Sequence, residues 1–481
     1  MMTPCKVPWL AWVGAMLGAI ALPFPAVAVC PADLPAAIAA IANRPELVPA
    51  RLGIQVETLA GETVYGWEGD RFFVPASSLK LVTTAAALTQ LGPDFTLQTS
   101  VYGYTDPAGV TTLKVVGRGD PSFGRDDLSA IADQLAQQGI RQVEMLWGDE
   151  SAFQGSDVNT SWEWEDVQAG YGAPVNALIL EENEIGLSLI PQAVGQPLQV
   201  VWDEPDLGIG WQIENRSLTV GPDESEFVSV GRELAHPVLY VQGQLIAGSA
   251  AETASIAVPN PGEIFLSTLQ STLVKWGIPV QQMALTQTPS ASDWPELAAV
   301  QSPPLAELLI PANRDSNNLY AEALLKQLGR QSSLEEDTTQ AGIAIALNTL
   351  TALGVNPDGI VMIDGSGLAR KNLITPETMV DTLQAMARSP YASIYRDSLA
   401  VAGVSGTLRN RFQDTALEGR LWGKSGAISR NFSLAGYLEP ANYDPLAFSI
   451  FINNIDRRGS VARQLIDDIV LELGNLRSCG E

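Results

Sequence analysis

Three short motifs occur in order along this chain: Ser77-Ser78-Leu79-Lys80, Ser316-Asn317-Asn318 and Lys424-Ser425-Gly426. A serine with a lysine three residues later places a nucleophile and a base on one helix face. Burial of Lys80 in an apolar helix, or a second cation beside it, lowers an amine's pKa and leaves it able to take the serine proton. Ser316 is in position to offer a hydroxyl to Lys80, and Asn318 an amide to a substrate backbone. In the third motif Ser425 suits a carboxylate, Lys424 supplies positive charge beside the nucleophile, and Gly426 lets another chain approach the strand edge. The backbone N–H groups of Ser77 and Ala427 are the candidates for an oxyanion hole. Such an acyl-transfer site needs no histidine, and the chain has one, His236.

Taken singly, each pattern is weak. A lysine following a serine on a helix is usually a solvated charge, and Ser-x-Asn recurs at Ser429-Arg430-Asn431, read as a turn between strands. Ser-x-x-Lys has no second copy, and the order of the three together is the signal.

The elements that must position these residues are readable from periodicity. Ser78 to Leu91 predicts a helix, apolar at Leu79, Val82, Ala86 and Leu88 and stopped by Gly92-Pro93. This sets Ser77 at a helix N-terminus, its N–H facing the space where an oxyanion forms. Before it, Pro31 to Asn43 reads as a helix, and Arg51 to Thr58 and Thr63 to Trp67 as strands. From about Phe95 the texture changes to short alternating segments between turn signals, as in Leu97 to Tyr104, Leu113 to Val116 and Leu198 to Trp202. A strand over Thr253 to Val258 and a helix over Ile264 to Trp276 lead the chain back. Helices over Leu305 to Ile310 and Asn318 to Leu328 flank the second motif, and Gln340 to Leu353 is a further helix. Lys424 lies on a strand edge, followed by strands over Phe432 to Leu438 and Ala447 to Ile452 and a closing helix over Val461 to Leu473. The expected architecture is one α/β (α+β) domain, residues 29–94 and 291–481, split by an inserted region, 95–290, of two mostly-β subdomains.

Composition narrows the functional classes. Apolar residues make up 46% and charged residues 17% of the 481, as in a globular chain. The 28 basic against 54 acidic residues leave a net charge of −26, which argues against nucleic acid and against docking on anionic lipid. The N-terminus reads as an export signal, residues 1–28. Lys6 precedes an apolar core from Trp9 to Leu22, Pro23 and Pro25 break it, and Ala26-Val27-Ala28 offers a cleavage site. A membrane anchor would need a longer core, and Val29 is a poor residue before a lipidated Cys30. The expected location is therefore periplasmic. Cys5 leaves with the signal, and in an oxidising compartment Cys30 and Cys479 are expected to bridge the chain ends, the alternative being two free thiols.

On its motifs the chain resembles the penicillin-binding proteins and serine β-lactamases, whose signature set is Ser-x-x-Lys, Ser-x-Asn and Lys-Thr/Ser-Gly. The stretch between Ser77 and Ser316 is far longer than in a compact β-lactamase. It is similar to the low-molecular-mass class C penicillin-binding proteins, the D-alanyl-D-alanine carboxypeptidase/endopeptidase family. Pro75-Ala76-Ser77, Gly117-Arg118-Gly119-Asp120-Pro121, Asn313-Arg314-Asp315-Ser316, Asp364-Gly365-Ser366-Gly367-Leu368 and Gly403 to Arg409 fit the same family. The resemblance implies a penicillin-binding, serine β-lactamase-like transpeptidase domain acting on peptidoglycan stem peptides and acylated by β-lactams. It implies Ser77 as nucleophile, Lys80 as base, Ser316 as proton shuttle, Asn318 on the substrate amide, and Lys424 and Ser425 on the terminal carboxylate. It also implies an acidic residue of the insertion facing the amino end of the stem-peptide side chain. Within Trp162-Glu163-Trp164-Glu165-Asp166 the candidate is Asp166.

The third motif departs from the family in reading Lys-Ser-Gly-Ala, without the usual threonine and without a hydroxyl at Ala427. Weaker carboxylate binding follows, with the chemistry intact. The alternatives are a β-lactamase, which needs a deacylating base not found in the sequence, and a catalytically weak or inactive binding protein. No cofactor and no metal are expected. Oligomeric state and peripheral membrane association are left open.

Overall fold

A computed structural model describes residues 29–107, 110–287, 294–331 and 337–479. The signal sequence anticipated at residues 1–28 lies outside the described residues. Among the described residues, no helix is long and apolar enough to cross a membrane.

Both ends of the chain build one six-stranded antiparallel sheet. Its order is Ala400–Val401, Leu421–Ile428, Asn431–Leu438, Leu446–Asn453, Arg51–Thr58 and Thr63–Trp67. The two central strands, Asn431–Leu438 and Leu446–Asn453, are buried at every position. Alternation along them feeds two cores. Leu434, Phe448 and Ile450 face the terminal helices Leu34–Ala42 and Gly459–Gly474. Ala435, Tyr437 and Phe451 face the helices Lys80–Leu91, Leu305–Asn313, Asn318–Gly329, Thr338–Ala352 and Pro376–Arg388. The two terminal helices pack against each other, with an ion pair between Arg44 and Asp468. Cys30 and Cys479 are joined in a disulfide, Cα atoms 5.8 Å apart.

The insertion holds three sheets. One has five strands in the order Val280–Thr286, Val143–Asp149, Thr111–Val116, Gln98–Thr105 and Glu296–Gln301. Helices Arg125–Gln137 and Pro261–Lys275 pack on it through Leu128, Ile131, Leu135, Phe265 and Leu269. The insertion is mostly β, as expected, and this part of it adds two helices to its sheet. The Arg125–Gln137 helix was not anticipated, although Leu128, Ile131, Ala132 and Leu135 carry helical spacing and Asp127 accepts from the Gly124 N–H at 2.9 Å. The short turn-rich segments around it hid the pattern. Glu296–Gln301 pairs with Gln98–Thr105, so the inserted sheet extends past residue 290. Two three-stranded sheets complete the region and share a small core around Ile185, Leu187, Leu239 and Val241.

The insertion is fastened to the helix that carries the second motif. Lys326 donates to the Ser156 and Val175 carbonyls, each at 2.9 Å, Gln327 donates to the Arg118 carbonyl, and Asn317 to the Glu182 carboxylate.

Candidate active site

Ser77 sits in the 3-10 turn Ala76–Leu79 that runs into the Lys80–Leu91 helix. Ala76 has a φ of 49° and Ser316 a φ of 68°. Left-handed backbone at two non-glycine residues flanking one cleft is the strain that functional turns commonly hold. Around them, hydroxyl groups pin the nucleophile turn to the sheet. Ser433 Oγ donates to the Pro75 carbonyl at 2.6 Å and lies 2.7 Å from Ser78 Oγ, which also donates to the Lys424 carbonyl at 3.2 Å.

Two glycines make this approach feasible. A Cβ on Gly426 would stand 2.7 Å from the Pro75 carbonyl oxygen and 3.0 Å from the Ser77 nitrogen. Gly426 is expected from sequence to let another chain approach the strand edge; in the structure the nucleophile's own turn occupies that space. Gly367, at φ 84°, would drive a Cβ to 1.9 Å from the Ala76 carbonyl oxygen.

Lys80 is fully buried. Its Nζ donates to Ser77 Oγ at 3.0 Å, to Asn318 Oδ1 at 2.6 Å and to the Ser366 carbonyl at 2.8 Å. Burial pulls its pKa down to about 7, while Asp364 and Glu322 hold it up. A lysine in this state is half free base at neutral pH, as a general base requires. Lys424 is also fully buried, and its Nζ donates to Ser316 Oγ at 2.7 Å and to the Ser425 carbonyl at 2.7 Å. Burial, then the charge of Lys80, push it well below the usual lysine range, with Asp315 opposing.

The pairing differs in one respect from the sequence expectation. Ser316 meets Lys424, and Asn318 is the partner of Lys80. The other end of the Asn318 amide donates to the Tyr171 carbonyl at 2.7 Å, which ties the second motif to the insertion. Ser425 Oγ donates to Thr407 Oγ1 at 2.8 Å, so a second hydroxyl, from the Gly403–Arg409 segment, stands where the carboxylate is expected. Beyond Gly423 the outer edge of the Leu421–Ile428 strand has no pairing partner among the described strands, and Ala427 is exposed there.

A cavity of about 550 Å³ opens beside Ser77, lined by Asn318, Ala427, Asp166, Glu163 and Arg370. Asp166 is buried and accepts from Tyr171 Oη at 3.1 Å and from the Glu163 N–H at 3.2 Å. Arg370 reaches Glu163 at 2.9 Å and Asp166 at 3.5 Å. Arg370 and Tyr171 escape the sequence reading, because a lone arginine or tyrosine in a loop carries no spacing signal. Behind the cavity, Asp364 accepts from the N–H groups of Gly367 and Ala369, from Asn372 and from Trp162 Nε1. This fixes the Asp364–Leu368 loop against the nucleophile turn. All three motifs therefore converge on one cleft, and Cys30 and Cys479 lie outside it.

One prediction follows from Ala427. Restoring a hydroxyl with Ala427→Thr is expected to lower KM for a D-Ala-D-Ala peptide about tenfold, as one hydrogen bond to a charged group would, with kcat little changed. Steady-state kinetics decide it, and an unchanged KM overturns it.

Known proteins resemble this chain in sequence and in fold. The D-Ala-D-Ala carboxypeptidase 3 (S13) family matches residues 34–474. The D-alanyl-D-alanine carboxypeptidase of Actinomadura sp. (strain R39) is 35% identical over 440 residues, covering 87% of this chain and 80% of that protein. The D-alanyl-D-alanine carboxypeptidase DacB of Haemophilus influenzae is 25% identical, covering 82% and 83%. In fold, the chain is similar to the crystal structure of penicillin binding protein 4 from Haemophilus influenzae, with a TM-score of 0.77, 23% identity and coverage of 91% and 98%.

Proposed function

The chain belongs to the D-Ala-D-Ala carboxypeptidase 3 (S13) family, and from this premise we propose a role for each residue of the cleft. It is a serine D-alanyl-D-alanine carboxypeptidase, the family anticipated from its motifs. In our reading Ser77 Oγ attacks the carbonyl of the penultimate D-alanine of a peptidoglycan stem peptide while Lys80 Nζ takes the hydroxyl proton. The oxyanion forms between the N–H groups of Ser77 and Ala427. The C–N bond breaks as a proton passes from Lys424 through Ser316 to the leaving amine. Asn318 aligns the substrate amide, and Lys424, Ser425 and Thr407 face its terminal carboxylate. Lys424, left neutral by that transfer, takes a proton from the water that attacks the acyl carbonyl, and Ser77 recovers its proton from Lys80 as the acyl group leaves, which restores both amines.

The observation that carries this reading is the contact of 3.0 Å between Ser77 Oγ and an amine whose pKa is lowered to about 7. Cleavage of a cross-link is the same displacement with a larger leaving amine, and we propose DD-endopeptidase activity on that ground. Asp166 and Glu163, held by Arg370, are the proposed partners of the amine on the stem-peptide side chain. β-Lactams acylate Ser77. The enzyme works outside the cytoplasm, in the periplasm.

Two arms test the proposal. A stem pentapeptide ending in D-Ala-D-Ala is expected to lose one D-alanine, and a cross-linked muropeptide to be cut to monomers; well-folded protein that leaves both intact overturns it. Exposure to benzylpenicillin is expected to leave one penicilloyl adduct by intact mass. Rapid drug hydrolysis without an adduct would point instead to a β-lactamase.

The pH dependence follows from Lys80. Its folded pKa is depressed, so the base is charged and idle below about 7 and neutral above it. The acylation rate constant for benzylpenicillin is expected to rise as pH passes upward through this value and then level off. A rate independent of pH across that range would exclude Lys80 as the titrating base.

A further inference from the structure

We propose that Glu322 is a positioning residue of this reaction: it holds the backbone of Gly365 and Ser366, whose Ser366 carbonyl faces Lys80, and places a carboxyl charge behind that base. The inference rests on the assignment of Lys80 as base. Glu322 lies one turn after Asn318 on the Asn318–Gly329 helix, so the two share a face, and it is 3% exposed. Its Oε1 accepts from the N–H of Gly365 at 3.0 Å and from the N–H of Ser366 at 2.8 Å. The carbonyls of the same two residues are gripped from the other side. Gly365 O accepts from Thr83 Oγ1 at 2.7 Å, and Ser366 O accepts from Lys80 Nζ at 2.8 Å. The backbone of two consecutive residues is therefore clamped between Glu322 and the helix that bears the base. Without Glu322, two buried N–H groups lose their acceptor and the Ser366 carbonyl loses its aim at Lys80.

The charged groups facing Glu322 among the described residues are Lys80 on the nucleophile helix, Asp364 in the loop, and Lys326 one turn along its own helix. Burial, with Asp364 beside it, raises the pKa of the Glu322 carboxyl, while the hydrogen bonds from Ser366 and Gly365 favour its charged form. Glu322 also lines a cavity of about 100 Å³ with Asp157, Trp162 and Lys326, and the exposed Thr160 and Asp337 belong to the same lining. This cavity shares no residue with the one containing Ser77.

The test is the pH profile of acylation by benzylpenicillin for the full protein, E322Q and E322A. Glutamine keeps an acceptor for both N–H groups and removes only the charge that raises the Lys80 pKa. Its acid limb is expected to move down by about one pH unit, with a plateau within about twofold of the parent. Alanine also removes the acceptor, and its plateau is expected to fall about tenfold or more as the base loses its placement. A merely structural glutamate would leave the E322Q limb on the parent curve, and that result overturns the proposal. If E322A does not fold, the E322Q limb alone decides. Failure of the parent to form an adduct would instead remove the underlying assignment of the base.

Discussion

Ser77→Ala is expected to form no penicilloyl adduct and to lose at least about 10⁴-fold in D-alanine release, because the acyl-enzyme has no atom on which to form. The side chain is only partly buried, and its hydroxyl is placed by Lys80 rather than by a packed core. Removing one oxygen should leave the fold and the binding of a D-Ala-D-Ala peptide in place. Intact mass and substrate binding by calorimetry separate the two effects. An adduct of normal stoichiometry on the variant would exclude Ser77 as the nucleophile.

Lys80→Met is expected to slow acylation by about 10³- to 10⁴-fold, the usual worth of a general base. Methionine fills much of the buried volume but withdraws three hydrogen bonds, to Ser77, Asn318 and the Ser366 carbonyl. It also removes a cation from a fully buried position, so melting should stay close to the parent or rise. The residual rate should lose the rise through pH 7. The double variant Ser77→Ala with Lys80→Met should be no slower than Ser77→Ala alone, because the two residues act as one unit. Acylation within tenfold of the parent would remove Lys80 from the base role and leave Lys424 as the remaining amine in the cleft.

The parts of the site legible in the sequence are those whose chemistry is local. Ser77 and Lys80 lie one turn apart, and no tertiary knowledge is needed to see that they meet. Strands Arg51–Thr58 and Thr63–Trp67 and the helices around the second motif were equally readable from local pattern. Contacts between distant segments were not. Whether Ser316 turns to Lys80 or Lys424 depends on a left-handed φ at Ser316 and on how the strand bearing Lys424 sits under it. Arg370, Tyr171 and Thr407 have no partner nearby in sequence, and their roles exist only once the insertion and the Gly403–Arg409 segment are folded against the cleft. Gly426 shows the limit plainly. The need for a small residue is visible in the motif, but not the fact that the nucleophile's own turn is what requires it.

The strand order has a consequence for timing. The Arg51–Trp67 hairpin joins the sheet only along the Leu446–Asn453 strand, which is among the last pieces of chain to be made. A two-stranded hairpin alone is marginal in water, so the opening segment of the chain waits for its closing one. Contacts this remote in sequence form slowly. Until they form, Ser77 and Lys80 are an ordinary serine and an ordinary lysine, exposed to water and unpaired with Lys424. A chain halted before residue 421 therefore has a nucleophile with no strand to lie on, and one halted before residue 446 still lacks the strand that joins the opening hairpin to the sheet.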